Sequence, residues 1–461
     1  MDSAKIKASK PSYSFYELKF FEDSVIKYND KNQNFYILSY KYNDNDKYGI
    51  NLSNLSIFDN EKRGTIKQDK EKVNKVLDIL MSSVSPKKKL KKLEELNINE
   101  QEKKGIGCML GMAIGDAMGA RYEFQNVRYG IIDLKDMGKG PGGKFKLQPG
   151  QWTDDTSMGL CIADSLLMNN GKLSEHDIMH RFIAWWRGGY NNAFRYNNSP
   201  RHSVGLGGNI SLSFRNYLDF YNKTKKLANP KTNAGDENTS GNGSIMRNAA
   251  IPICFHKNIN LAMENAKKQS LITHQGIEAK ECCSLLTHII VKIFSGEKKD
   301  YILDNLGSSF DTDIESVKCL SNHQQEGKDE NKNWNWKVDE YHYSPTRSSK
   351  QRGYIGSYAM DNMAMSLNII YKTDNFKDAI IRAANIRGDS DSVASVVGQI
   401  AGALYPIEEI PGDWIKAIYD WDHGEIALRG YMLARIQINE NENKSQNIQN
   451  KDINNSYSYI L

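Results

Sequence analysis

No stretch of this 461-residue chain is apolar for long enough to span a bilayer. Its first residues, Met1-Asp2-Ser3-Ala4-Lys5, lack the apolar core of a secretory signal. CxxC spacing is absent among the six cysteines, Cys108, Cys161, Cys254, Cys282, Cys283 and Cys319. Most of these sit in apolar stretches, where a thiol behaves as a small hydrophobe. Together these absences predict a reduced, cytoplasmic protein with no membrane partner. A dominant charge is missing as well. The 61 basic and 56 acidic residues leave a formal net charge of +5, too small to argue for a nucleic-acid or membrane surface. Regular alternation of strand with helix is also absent, which disfavours a doubly wound sheet.

What is present is helical periodicity. From Gly105 to about Ile436, apolar residues recur at three- and four-residue spacing in runs over 157–169, 175–187, 259–270, 276–295, 357–372, 376–384 and 391–404. The expected fold is therefore mainly α, with 105–436 as its body. Residues 1–65 differ: the aromatic, partly alternating stretches 13–21 and 35–42, split by Asn29-Asp30-Lys31-Asn32, read as strands of a small N-terminal extension. Residues 66–104, charged and broken at Pro86, read as a mostly helical connector. Residues 437–461, rich in Asn, Glu, Lys, Gln and Ser, read as a disordered tail. The two linkers inside the body, 222–244 and 321–356, are long enough to expect a purpose. The second carries Trp334, Trp336, Tyr341 and Tyr343, which either stack on a base or anchor the loop.

Gly107, Gly111, Gly115 and Gly119 recur every four residues and so share one helix face. Each weakens an isolated helix by about 1 kcal/mol relative to alanine, so the ladder predicts close approach of another backbone. Ala394, Gly398 and Gly402 form a similar ridge. Two acidic clusters open helical runs, Thr153-Asp154-Asp155-Thr156 and Gly388-Asp389-Ser390-Asp391-Ser392. One capping residue and one acid would suffice to start a helix. Adjacent carboxylates repel by roughly 4 kcal/mol per pair at an effective dielectric near 20, so their repetition favours an all-oxygen cage for hard divalent cations. Asp116 and Glu123 lie among small and apolar residues, where an acid must be ion-paired or ligated. Gly241-Asn242-Gly243-Ser244 and Gly205-Leu206-Gly207-Gly208 are either turns or anion-binding loops. His274 stands at the head of a helical run, where a lone histidine is more often a cap or surface residue than a catalyst.

In order along the chain, GCMLGMAIGDAMGARYEF, WTDDTSM, GNGSIMRNAAIP, THQG and RGDSDSVASVVGQIAGALYP resemble the ADP-ribosylglycohydrolase family, over roughly 330 residues from Gly105 to Leu433. That resemblance implies an orthogonal multi-helix bundle with a cleft for two Mg²⁺ or Mn²⁺ ions. It implies metal ligands at Thr153, Asp154, Asp155, Asp389, Asp391 and Ser392, with threonine usual where Ser392 stands and Gly-Gly usual where Arg387-Gly388 stands. Glu123 and Asp155 are implied as candidate catalytic bases, and Asp116 as a buried acid supporting the site. Gly205, Gly207, Ser240, Gly241, Asn242, Gly243, His274 and Tyr354 are implied to contact the diphosphate, riboses and adenine. The implied reaction is hydrolytic removal of ADP-ribose from a modified arginine or serine, or from a related conjugate, nucleic acid entering only as such a conjugate. A second reading is a binding protein that neutralises a cognate ADP-ribosyltransferase through residues 1–104. A third, a non-catalytic structural relative, is opposed by the intact acidic clusters.

Overall fold

The computed structural model describes residues 18–21, 24–29, 34–37, 63–194, 203–224, 228–232, 239–350 and 355–438. Expectations placed on Tyr354, on most of residues 1–62 and on nearly all of the tail lie outside the described residues. Three short strands, β1 (Leu18–Phe21), β2 (Ser24–Asn29) and β3 (Asn34–Ile37), pair antiparallel in that order. The other regular elements among the described residues are helices. Helix α1 (Arg63–Met81) is followed by α2 (Pro86–Glu95), whose proline sits in the first turn, where its missing N–H leaves no bond unmade. Helix α3 (Glu100–Gly119) opens with reciprocal 2.9 Å bonds between Asn99 and Glu102. Val73, Val76, Leu77 and Leu80 of α1 and Leu93 of α2 are buried in the same core as the body. The stretch expected as a connector is thus packed onto the body, and α3 runs unbroken across residue 105.

The body continues with α4 (Asp154–Met168), α5 (Glu175–Gly188), α6 (Gly208–Thr224), α7 (Ala250–Phe255), α8 (Ile259–Leu271) and α9 (Ile277–Phe294). The shorter α10 (Lys299–Asp304), α11 (Leu306–Ser309), α12 (Glu315–Ser321) and α13 (Pro345–Lys350) come next. Helices α14 (Ala359–Tyr371), α15 (Phe376–Asn385), α16 (Ser390–Leu404), α17 (Gly412–Asp422) and α18 (Glu425–Ala434) complete it. Every helix expected from apolar spacing is present. The start of α4 falls at Asp154 rather than 157 because its acids form the first turn themselves.

The glycine ladder explains how α3 and α16 lie together. A Cβ built on Gly107, Gly111, Gly115 or Gly119 would collide with the backbone carbonyl of Gly402, Gly398, Ala394 or Ser390, respectively. The partners descend as the ladder ascends, so the two helices run antiparallel, backbone against backbone. Ser390 Oγ adds a 2.8 Å bond to the Gly119 carbonyl at the end of the contact. This packing sets the C-terminal turn of α3, with Asp116, beside the N-terminal turn of α16, with Asp389 and Asp391. Helix α4 is held from its other end: in α18, Arg429 donates to Asp164 at 2.7 Å and to Asn191 at 3.2 Å, all three buried.

In the second linker, Trp334, Trp336, Tyr341 and Tyr343 are all buried in the main core, and the Trp336 indole N–H donates to the Leu320 carbonyl at 2.7 Å. Of the two readings of that cluster, anchoring is the one found. All six cysteines are unbridged and buried. Among the described residues no helix is long and apolar enough to cross a membrane.

Candidate active site

Asp116, fully buried in the last turn of α3, reaches under the N-terminus of α4. The N-cap there, Thr153, makes no capping bond with its own side chain. Asp116 supplies it instead, accepting from the N–H groups of Thr153 and Thr156 at 3.0 Å and from their hydroxyls at 2.9 and 2.7 Å. Burial pushes this carboxyl up to about 6, and the four bonds act the other way. With both oxygens engaged, Asp116 positions α4; it is not free to touch a substrate.

So held, α4 presents Asp155 to the acids of α16. Carboxylate oxygens of Asp116, Asp155 and Asp391 lie within 4.8 Å of one another, and so do those of Glu123, Asp389 and Asp391. Asp391 belongs to both groups. Among the described residues, buried Glu123 Oε2 and Asp155 Oδ1 have no hydrogen-bond partner. Among the described residues no lysine or arginine is ion-paired with any of these acids or with Asp154. Burial, reinforced by the charges of Asp389 and Asp154, pushes Glu123 up to about 9. Burial and neighbouring carboxylates hold Asp154, Asp155 and Asp391 well above the usual carboxylate range. Asp389 is raised by burial against hydrogen bonds from Asn242 and Ser392. Crowded, buried carboxylates with orphaned oxygens and no basic partner fit an oxygen-liganded divalent cation, which removes both the repulsion and the unmade bonds.

The loops expected around a ligand converge on the same place. Gly241 pairs with Tyr358 in an isolated antiparallel bridge, and the Asn242 N–H donates to the Ser357 carbonyl at 2.8 Å. Ser240 accepts the Ala359 N–H on its carbonyl at 2.9 Å and the Ala279 N–H on its hydroxyl at 3.3 Å. Asn242 Nδ2 then joins the loop to the acids, donating to Asp389 Oδ2 at 2.9 Å and to the Gly356 carbonyl at 3.1 Å. Gly205, at φ +86°, lies against the Asp154 carboxylate, which any Cβ would strike. Gly207 has room for a side chain, so packing alone does not require glycine there. His274 is buried, and burial, then the charge of Arg247, pushes its imidazole down to about 3.

The two departures from the resemblance are resolved by geometry. Arg387 and Gly388 are both left-handed, at φ +67° and +65°. The Arg387 guanidinium donates to Gln125 Oε1 at 2.9 Å and to Asp133 Oδ2 at 2.7 Å, and lies 4.6 Å over the Tyr122 ring. Its charge is engaged beside the acidic groups and bonds to none of them. The Ser392 hydroxyl is buried, 3.5 Å from Met246 Sδ, and helps restrain the Asp389 carboxyl. Sequence reading missed the bond from Asn242 to Asp389, the use of Thr156 to hold Asp116, and the buried Arg247 and Thr273 behind His274. The motifs contain all of them, but spacing along the chain does not reveal such long-range bonds.

Residues 98–443 match the ADP-ribosylglycohydrolase family. The chain is 33% identical over 322 residues to the ADP-ribosylarginine hydrolase Tri1 of Serratia proteamaculans, covering 69% of this chain and 76% of that one. It is 26% identical to the ADP-ribosyl-[dinitrogen reductase] glycohydrolase of Rhodospirillum rubrum, covering 68% of this chain and 90% of that one. A solved structure described as an ADP-ribosylglycohydrolase-related protein complex superposes with a TM-score of 0.56 at 26% identity, over 74% of this chain and all of the other.

Proposed function

The chain belongs to the ADP-ribosylglycohydrolase family, and from that premise we propose that it hydrolyses the glycosidic bond between ADP-ribose and a modified protein side chain, arginine before serine. The ordering rests on the relative named as an ADP-ribosylarginine hydrolase. The observation that carries the proposal is the convergence of two sequence-distant acidic clusters into one buried group with unpartnered oxygens. In this reading Thr153, Asp154, Asp155, Asp389, Asp391 and Ser392 would hold divalent cations, Mg²⁺ or Mn²⁺. When bound, such ions supply charge neutralisation and Lewis acidity.

The protein's own groups do the rest. Ser240 to Gly243 and the loop at Gly205 and Gly207 hold the diphosphate and riboses with backbone N–H groups. Asn242 fixes Asp389 through its 2.9 Å bond, and Asp116 fixes the start of α4. Water attacks the anomeric carbon as the bond to the guanidine nitrogen breaks. The water's proton passes to a carboxylate, Glu123 or Asp155, and the leaving guanidine takes up a proton. Positive charge developing on the ribose is stabilised by the surrounding carboxylates. Burial and the charges of Asp389 and Asp154 raise the Glu123 carboxyl. Neutralising those charges brings Glu123 toward the range in which a base works near neutral pH.

The same proposal divides the chain into a helical hydrolase body, from α1 to α18, and an N-terminal extension. The reading as a transferase-neutralising protein rests on residues 1–104, of which 1–17, 22–23, 30–33 and 38–62 lie outside the described residues, and nothing in the described part favours it. The experiment is release of ADP-ribose from arginine-, serine- and nucleic-acid-linked substrates, with and without Mg²⁺. Mg²⁺-dependent release from the arginine conjugate is expected; no release from any of the three overturns the proposal.

A further inference from the structure

Behind the Ser240–Gly243 loop lies a buried arginine with no carboxylate partner among the described residues. Arg247 has none of its surface exposed. Its guanidinium donates to Gln269 Oε1 and to the Gln269 carbonyl, each at 3.1 Å, and to Thr273 Oγ1 at 2.8 Å. It also stacks 4.5 Å above the Phe182 ring, with Met158 Sδ 3.8 Å away. Burying a cation without an anion is costly, and four residues are engaged here to make it tolerable. The Thr273 hydroxyl, itself fully buried, is 2.8 Å from His274 Nδ1. Among the described residues Arg247 and His274 are its only side-chain hydrogen-bond partners.

A guanidinium only donates, so Thr273 Oγ1 accepts from Arg247. A buried hydroxyl also gives its own hydrogen to a partner, and the acceptor left for it is His274 Nδ1. A neutral imidazole accepting at Nδ1 carries its proton on Nε2. That side of the ring faces the loop: a Cβ on Gly243 would lie 2.7 Å from His274 Cε1 and 3.0 Å from Nε2, and one on Gly241 would lie 3.4 Å from Nε2. Nε2 has no hydrogen-bond partner among the described residues. We propose that Arg247 and Thr273 are positioning residues that lock His274 as its neutral Nε2–H tautomer, so that it donates to an anionic oxygen, of the diphosphate class, held by the Ser240–Gly243 loop. The tautomer follows from the hydrogen-bond directions alone; the identity of its acceptor rests on the ADP-ribose reading.

The test is long-range ¹H–¹⁵N correlation on full-length protein with ¹⁵N-labelled histidine, His274 being assigned by its loss in His274→Gln. The chain has 9 histidines, so the spectrum is tractable. Wild type and Thr273→Ser should show the Nε2–H pattern, and Thr273→Val should lose it. Calorimetry with ADP-ribose should show affinity about tenfold weaker in Thr273→Val and restored in Thr273→Ser, the effect of one hydrogen bond. An Nδ1–H tautomer or an imidazolium in the wild type at neutral pH overturns the relay, whatever the variants do. Unchanged affinity in a folded Thr273→Val overturns the donor role. The expected tautomer with no ADP-ribose binding in any form overturns the ADP-ribose reading and leaves the tautomer assignment standing.

Discussion

At the scale of single residues, Asp116, a member of one acidic group, and Arg387, which lies beside the groups, do opposite things. Asp116 gathers four donors from the start of α4. Replacing it with asparagine presents an N–H₂ to N–H and O–H groups. We expect Asp116→Asn to lose about 2–4 kcal/mol in chemical denaturation, as for a broken buried charged network, and to lose activity with it; a loss below 0.5 kcal/mol, as at an ordinary surface site, contradicts this. Arg387 instead turns its charge to Gln125, Asp133 and Tyr122. In Arg387→Gly, relief of a left-handed non-glycine residue offsets the lost ion pair, so stability should stay within about 1 kcal/mol of wild type. Turnover should stay within about threefold, and a tenfold fall would place Arg387 in the chemistry after all. The presence of Arg387 was legible in the sequence, but the direction of its side chain was not. That direction is decided by Asp133, which lies 254 positions away.

At the scale of elements, the contact between α3 and α16 is what makes the site. Four-residue spacing reveals a glycine face, and the packing is tight enough that each glycine meets a carbonyl oxygen. Gly111→Ala must push the helices apart against the Gly398 carbonyl. Overpacking of this kind costs about 1–3 kcal/mol, sometimes more, so a clear fall in Tm and a weakened cation affinity are expected; calorimetry showing unchanged cation binding would separate the ladder from the site. The ladder was readable from spacing, whereas its partner was not, since periodicity gives a helix's face and not its neighbour. The same limit explains the connector. Charge-rich α1 and α2 read as a helical connector because their buried stripe, Val73 to Leu80 and Leu93, is narrow within a polar sequence.

At the scale of the whole molecule, two sets of buried groups pull stability in opposite directions with pH. Burial holds His180 and His274 near 3, against about 6.5 in an unfolded chain. Between those values the unfolded state binds protons that the native state refuses, so stability falls as pH drops below about 6.5. For Glu123 the native value of about 9 exceeds the ordinary 4.5, and its acidic neighbours are raised too. Without cations the native state then holds the extra protons, and stability falls as pH rises from about 4.5 toward about 9. In chelator, Tm should therefore fall as pH rises from about 6.5 toward about 9, where only the acids still titrate, and added Mg²⁺ should raise it more at pH 8 than at pH 5. The reverse order of Mg²⁺ effects contradicts a cation-holding acidic group.

The central claim is that acids from α3, α4 and α16, with Glu123 just beyond α3, form one cation-dependent centre for removing ADP-ribose. Initial rates of ADP-ribose release from an ADP-ribosylarginine protein test it most directly, comparing chelated wild type, wild type restored with Mg²⁺, and folded Asp391→Ala. Asp391 is chosen because its oxygens lie in both acidic groups. The account predicts release only in the restored wild type, with at least a hundredfold loss, about 3 kcal/mol in barrier height, in the other two. Undiminished release after chelation, or by Asp391→Ala, would contradict it.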